Sequence, residues 1–275
     1  MPTETQKVGW AALLKPAWFP ALAVLVGGVL LHSMNVLMLA TVLPSIVEDV
    51  GGATLMSLPT TAFLASSIVA ASCTGYVTSV FGARRAFAAG ALVFGAGALL
   101  CALAPSMAQV IAGRFVQGFG GGLLAAMAYV LVRNTFPEAV WAHAIALLSG
   151  AWSMSVLLGP LLGGAFATYG DWRGAFYAVA GLACLLAGLA IRALPRTLSG
   201  HGERPRVPAL RVALISAAII AMSVAAAIPM AVVKALLFAA ALGALALMLR
   251  LDRRAAAPLL PRDAFAFGTV TGIGL

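Results

Sequence analysis

Apolar residues in this chain neither alternate nor recur on a single helical face. They run nearly unbroken, about twenty at a time, the length a helix needs to cross roughly 30 Å of hydrocarbon. The runs cover 21–43, 55–80, 86–103, 107–132, 139–168, 174–194, 212–228 and 231–249. Membrane-spanning β-strands are shorter and alternate apolar with polar residues. The pattern therefore predicts an all-α polytopic membrane helix bundle, in which each backbone is hydrogen-bonded within its own helix because hydrocarbon offers no other partner. Trp18, preceded by Lys7 and Lys15, has the character of an interfacial anchor for the first run. That run is too long for a signal peptide and lacks a small-residue cleavage site, so it is read as a retained helix.

The interruptions set the organisation. Between the sixth and seventh runs lies PRTLSGHGERPRVPALR, with Arg196, His201, Arg204 and Arg206 and no apolar periodicity, which reads as a linker. Beyond the eighth run the chain stops at Leu275, partway into what reads as a ninth. A span cannot be completed in so few residues, so the chain is expected to be a fragment of a longer protein. The expected organisation is an N-terminal tail at 1–20, a six-helix unit at 21–194, a basic linker at 195–211, two further helices at 212–251, and a loop leading into a truncated helix at 252–275.

Composition narrows the classes. The chain is 63% hydrophobic and 9% charged, whereas soluble proteins carry roughly 25% charged residues. The net charge of +9 raises the question of nucleic acid. A nucleic-acid surface gathers its cations on one soluble face, and here they sit in short loops between apolar runs. With the N-terminus inside, one side of the membrane holds Lys7, Lys15, Arg84, Arg85, Arg133, Arg192, Arg196, Arg204, Arg206, Arg211, Arg250, Arg253, Arg254 and Arg262. The other holds only Arg173 and Lys234. The positive-inside rule then predicts a cytoplasmic N-terminus, in a multi-pass protein of the cell membrane. Cys73, Cys101 and Cys184 are isolated in apolar runs without metal-ligand spacing and read as core-filling residues.

Several residues stand out within the runs. Arg114 lies about seven residues into the fourth run, roughly 10 Å from its boundary, where a cation is costly unless it faces a cavity or a partner. Snorkelling to the interface is the other reading. The offsets of three and four in AGRFVQGFGGG put Arg114, Gln117 and Gly118 on one face. In the fifth run, Ser155, Gly159 and Gly163 are spaced by four, a small-residue stripe that admits a close helix neighbour, and Pro160 removes a backbone hydrogen bond. Helix two offers Thr60, Thr61, Ser66 and Ser67, which either line a cavity or bond back to their own helix. Met34, Met38, Met127 and Met154 suit either an apolar pocket or ordinary packing.

Four segments in order resemble the major facilitator superfamily, over about 36–176. GYVTSVFGARRA, between the second and third runs, resembles the family's loop of Gly, a second Gly and paired cations, here Gly75, Gly82, Arg84 and Arg85, with a tight turn at the glycines. Ser79 stands where the family carries an acid. Arg114, Gln117 and Gly118 resemble the fourth-helix pattern. Gly159, Pro160, Gly163 and Gly164 resemble the fifth-helix motif associated with antiporters, with Ser155 in place of its first glycine. YGDWRGAFY, holding Trp172 and Arg173, resembles the link into the sixth helix. The end of the first run resembles family drug exporters, with Leu43–Pro44 closing the span and Asn35 where many drug:proton antiporters carry an acid. Two extra runs after the linker are similar to the fourteen-helix drug:proton antiporter branch.

The resemblance implies a secondary active transporter that exports drugs or small amphipathic compounds by alternating access, its substrate site near the bilayer midplane. A carrier of a small polar metabolite and a non-transporting membrane sensor or assembly subunit are the alternatives. The implied substrate and coupling residues are Arg114, Asn35, Gln117 and His32, with Asn35 and Arg114 facing one another across a central cavity and His32 one turn away. Protons are the implied coupling ion. Every acid, however, falls outside the central spans: Glu4, Glu48, Asp49, Glu138, Asp171, Glu203, Asp252 and Asp263. His32 either relays protons or makes a structural hydrogen bond. HExxH, GxSxG and P-loop patterns are absent from the sequence, so no enzyme, cofactor or metal is predicted. The expected partners are a small-molecule substrate and the lipid bilayer, not nucleic acid.

Overall fold

The computed structural model describes residues 18–169, 171–195, 209–228 and 230–254, together with 10, 13, 15 and 16. The linker cations Arg196, Arg204 and Arg206, His201, and the predicted truncated helix lie outside the described residues. The helices are α1 (Phe19–Val50), α2 (Leu58–Phe81), α3 (Ala83–Ala102), α4 (Met107–Thr135), α5 (Glu138–Thr168), α6 (Trp172–Ala193), α7 (Ala209–Ala227) and α8 (Ala231–Arg253), with a 3₁₀ turn at Ala53–Leu55 and no strand among the described residues. All but α7 are long and apolar enough to cross a membrane; α7 contributes a shorter apolar stretch, Leu210–Met222.

Local chemistry sets the helix ends. Pro residues occupy the first turns of α1 and α2, where the missing N–H costs nothing because those donors are unpaired anyway. The Ser106 hydroxyl at the start of α4 accepts from Gln109 N, and the Asp171 carboxylate at the start of α6 accepts from Gly174 N at 2.9 Å. Both are N-caps of the kind that satisfy an orphan donor. Gly51 and Gly52 follow α1 with φ of 71° and 81°. The α2–α3 turn is a single residue, Gly82, at φ 75° and ψ 153°, a region open essentially to glycine alone.

Two expectations about boundaries change. The first helix does not close at Leu43–Pro44 but continues through Pro44 to Val50. Ending it at Leu43 would strand the last-turn carbonyls among apolar neighbours, which costs more than the one hydrogen bond proline removes. The glycine pair of GYVTSVFGARRA does not form a two-glycine turn. Gly75 and Ser79 belong to α2, where Ser79 Oγ donates to Tyr76 O at 2.8 Å, and the chain reverses at Gly82 alone.

The chain divides into two compact units, Met1–Val207 and Pro208–Leu275. In the first, α4 lies at the centre, against α2, α3 and α1, while α3 also packs on α6, and α1 on α5 and α6. Glycines make these approaches possible. A Cβ on Gly118 or Gly122 would meet the α2 backbone at Phe63 Cα or Ser67 Cα, each at 2.7 Å. One on Gly113 or Gly120 would meet α3 at Cys101 N at 2.9 Å or Gly90 O at 2.6 Å. Glycines four apart therefore face α2 and glycines seven apart face α3, so α4 is pressed from two sides. In the second unit α7 packs on α8, and Arg211 pairs with Asp252.

The opposite ends of the first unit differ in character. Where α2, α4 and α6 end and α3 and α5 begin, Arg84 Nε donates to Leu194 O at 2.6 Å, the Lys15 ammonium lies 5.5 Å from the centroid of the Trp18 ring, and Arg133 sits 5.6 Å from that of Trp141. At the other end Arg173 Nη1 bonds Asp49 Oδ2 at 2.5 Å, Trp172 Nε1 donates to the same oxygen at 3.2 Å, and Arg173 Nη2 donates to Ala104 O at 3.0 Å. Arg173 thus joins the start of α6 to the end of α1 through Asp49 and to the α3–α4 loop through Ala104 O. Among the cysteines Cys101 is buried, while Cys184 is exposed on α6, which corrects its reading as a core filler.

Candidate functional site

Arg114 is the largest fully buried side chain among the described residues, at 0% exposure. It sits about two turns into α4, too deep for a short excursion to water, and it does not snorkel. Its Nη1 donates to Asn35 Oδ1 on α1 at 2.7 Å and to Gln117 Oε1 on its own helix at 2.7 Å. The Phe63 ring of α2 lies against the guanidinium, centroid to Cζ 4.1 Å, in cation–π contact. Asn35 and Gln117 are also at 0% exposure. Asn35 and Arg114 therefore touch directly instead of facing one another across a cavity. Three helices converge on one cation, and each contributes a single side chain type suited to it: an amide from α1, an amide one turn along α4, and an aromatic face from α2.

The chemistry of this cluster is a surplus of donors. Arg114 Nε and Nη2, Asn35 Nδ2 and Gln117 Nε2 are buried without a hydrogen-bond partner. Among the described residues no carboxylate pairs with Arg114. Buried polar groups are ordinarily satisfied, and a buried cation held by neutral oxygens alone is the exception. The arrangement is primed to accept oxygen atoms.

His32 lies one turn before Asn35 on α1, 5% exposed. Its ring is 5.3 Å from that of Phe63 and 6.0 Å from that of Trp152 on α5, so His32 and Arg114 share the Phe63 ring. Nδ1 of His32 has no partner. It occupies space that Gly121 leaves open, since a Cβ there would meet it at 2.5 Å. Of the helix-two hydroxyls, Ser66 donates to Phe63 O at 3.1 Å and Thr61 to Ser57 O at 3.1 Å, bonds within their own helix.

The α5 stripe lies on α1. Ser155 Oγ and Ser33 Oγ are 2.6 Å apart, and each also reaches a carbonyl of its own helix, Ser33 Oγ lying 2.8 Å from Val29 O and Ser155 Oγ 2.9 Å from Ala151 O. A Cβ on Gly159 would meet Met34 O at 2.8 Å, and one on Gly163 would meet Met38 O at 2.8 Å. Gly164 lies off this face, with open space where its Cβ would be. Sequence reasoning missed Ser33 and the glycines at the α3–α4 contact, Gly90 and Gly97 on α3 and Gly113 and Gly120 on α4; the seven-residue spacing within each glycine pair was the available signal. Met34, Met38 and Met127 are buried while Met154 is 53% exposed. An apolar recess of about 340 Å³ between α1, α5 and α6 takes in Leu30, Met34, Leu158 and Leu186 and none of the predicted polar residues.

A family model described as Major Facilitator Superfamily matches residues 25–274. A probable multidrug-efflux transporter of Mycobacterium tuberculosis is 38% identical over 283 aligned residues, covering 99% of this chain and 59% of that protein. A multidrug transporter of Bacillus subtilis is 30% identical over 137 residues, half of this chain and 25% of the relative. The chain thus spans about three-fifths of the Mycobacterium relative's length. Among solved structures, a proton:xylose symporter of the major facilitator superfamily matches with a TM-score of 0.59 at 15% identity, over 93% of this chain and 57% of that one.

Proposed function

Because the chain belongs to the major facilitator superfamily, we propose that it forms part of a secondary active transporter that exports small amphipathic compounds by alternating access. Alternating access requires two halves rocking around a site near the midplane, and the six-helix unit α1–α6 supplies one. The observation that carries the reading is the buried Arg114 cluster. An intramembrane cation is expensive and marks a functional path by default, and the cluster's four unpartnered nitrogens await acceptors from substrate or from elsewhere in the protein. In this reading Arg114, Asn35 and Gln117 hold the acceptor, and His32 is the titratable neighbour through which protons couple. The small-residue stripe Ser155, Gly159 and Gly163, with Pro160 inside it, lets α5 slide on α1, while Gly82 and the paired Arg84 and Arg85 fix the α2–α3 turn. The N-terminus lies in the cytoplasm of a cell whose plasma membrane holds the protein, as the cation distribution favours.

The test is dye efflux from cells producing the whole transporter of which this chain forms part, with and without a proton uncoupler. Loss of efflux on uncoupling supports proton-driven export. Absence of efflux in both conditions refutes it and favours a carrier of small polar metabolites, for which the two amides beside Arg114 are suited.

A further inference from the structure

At the end of the six-helix unit where α1 begins, the termini of α1, α3, α4 and α6 enclose a recess of about 420 Å³, whose lining includes Trp18, Arg84, Asn134, Thr135, Arg192 and Pro195. Its polar content is one-sided. Arg84, Arg192, Asn134 and Thr135 are its polar lining residues, and no acidic residue is among them. The Nε bond to Leu194 O orients the Arg84 guanidinium and leaves its terminal nitrogens to another acceptor. Among the described residues neither Arg84 nor Arg192 has a carboxylate partner. Thr135 Oγ1, at the end of α4, is buried without any hydrogen-bond partner.

Two planar guanidiniums and a hydroxyl match an oxyanion with several oxygens, and guanidinium pairs bidentately with phosphate. The position selects the source. Trp18 opens α1 with Lys15 over its ring, the aromatic-plus-cation signature of the membrane–water boundary, where headgroups lie. Basic recesses between helices at that level bind anionic headgroups. We propose that this recess binds the phosphate of a phospholipid headgroup from the adjacent leaflet, tying the end of α6 to the start of α3 and the end of α4. The proposal stands on membrane embedding alone and is independent of the transport reading.

The test is native mass spectrometry of the purified chain titrated with phosphatidylglycerol in detergent, beside Arg192→Gln, Arg84→Gln and Thr135→Val, with helicity checked by circular dichroism. Arg84→Gln also removes the bond to Leu194. Arg192→Gln breaks no hydrogen bond or ion pair among the described residues, so it decides the matter. Loss of one surface cation should weaken retention about fivefold, and loss of both by twentyfold or more. Thr135→Val should weaken it about twofold to threefold through loss of one neutral hydrogen bond. An unchanged affinity in Arg192→Gln overturns the proposal. Inorganic phosphate is the competing probe: lipid displaced only at high phosphate excess supports the headgroup, while phosphate binding as tightly as the lipid overturns the lipid as occupant.

Discussion

Replacing Arg114 by methionine separates a functional arginine from a structural one. An arginine at the centre of a membrane helix costs about 2.5–3.5 kcal/mol on insertion scales. Its partners offset that cost: hydrogen bonds inside membrane proteins contribute about 0.6 kcal/mol each, and a desolvated cation–π contact about 2 kcal/mol. With bonds to Asn35 and Gln117 and the Phe63 ring beneath it, these offsets come to about 3 kcal/mol, so Arg114 is close to neutral for stability. Methionine keeps an unbranched side chain against Phe63 without the charge. The two amide oxygens it leaves behind both reach the same nitrogen, so Asn35 and Gln117 are near enough to bond one another after a rotamer change. Arg114→Met should therefore shift stability by no more than about 1 kcal/mol, measured as the midpoint of helicity loss in SDS titration. Transport should fall at least tenfold in the dye assay. A destabilisation of 3 kcal/mol or more, or efflux at the parent level, would refute the reasoning, the first by making the arginine structural and the second by making it idle.

Paired glycines give sharper contrasts. Gly163→Ala forces a methyl onto Met38 O and Thr41 and should destabilise by about 1–3 kcal/mol, whereas Gly164→Ala meets open space and should be neutral or stabilising; thermal unfolding in detergent reads both. Gly82→Ala, at φ 75°, should cost about 1–3 kcal/mol, while Gly75→Ala, exposed within α2, should gain up to about 1 kcal/mol of helix propensity. Ser155→Ala should cost about 0.6 kcal/mol, and the same loss should appear in Ser33→Ala without adding in the double variant, as the 2.6 Å contact requires. His32→Gln should leave stability within about 1 kcal/mol and uncouple export from the proton gradient; export that still collapses with uncoupler would remove His32 from the coupling path.

The membrane class, the number and order of the long helices in α1–α6 and the identity of Arg114 as the unusual residue were all legible along the chain. Run length is a one-dimensional property set by bilayer thickness, and a lone cation in such a run needs no third dimension to be conspicuous. Residue spacing likewise determined that Gly118 and Gly122 share a face, and that Ser155, Gly159 and Gly163 do. Only the tertiary structure decided which neighbour each face meets: α2 for the first, α1 for the second. It also decided that α1 passes through Pro44, because a helix end is settled by whether its carbonyls find partners, which depends on the surroundings and not on the proline alone. The direct contact of Asn35 with Arg114 was likewise decided in three dimensions, because α1 packs directly on α4. The donor surplus around Arg114 and the basic recess beside Thr135 were invisible in the sequence. Each is a balance of donors and acceptors summed over side chains far apart in the chain, and that balance exists only once the helices have packed.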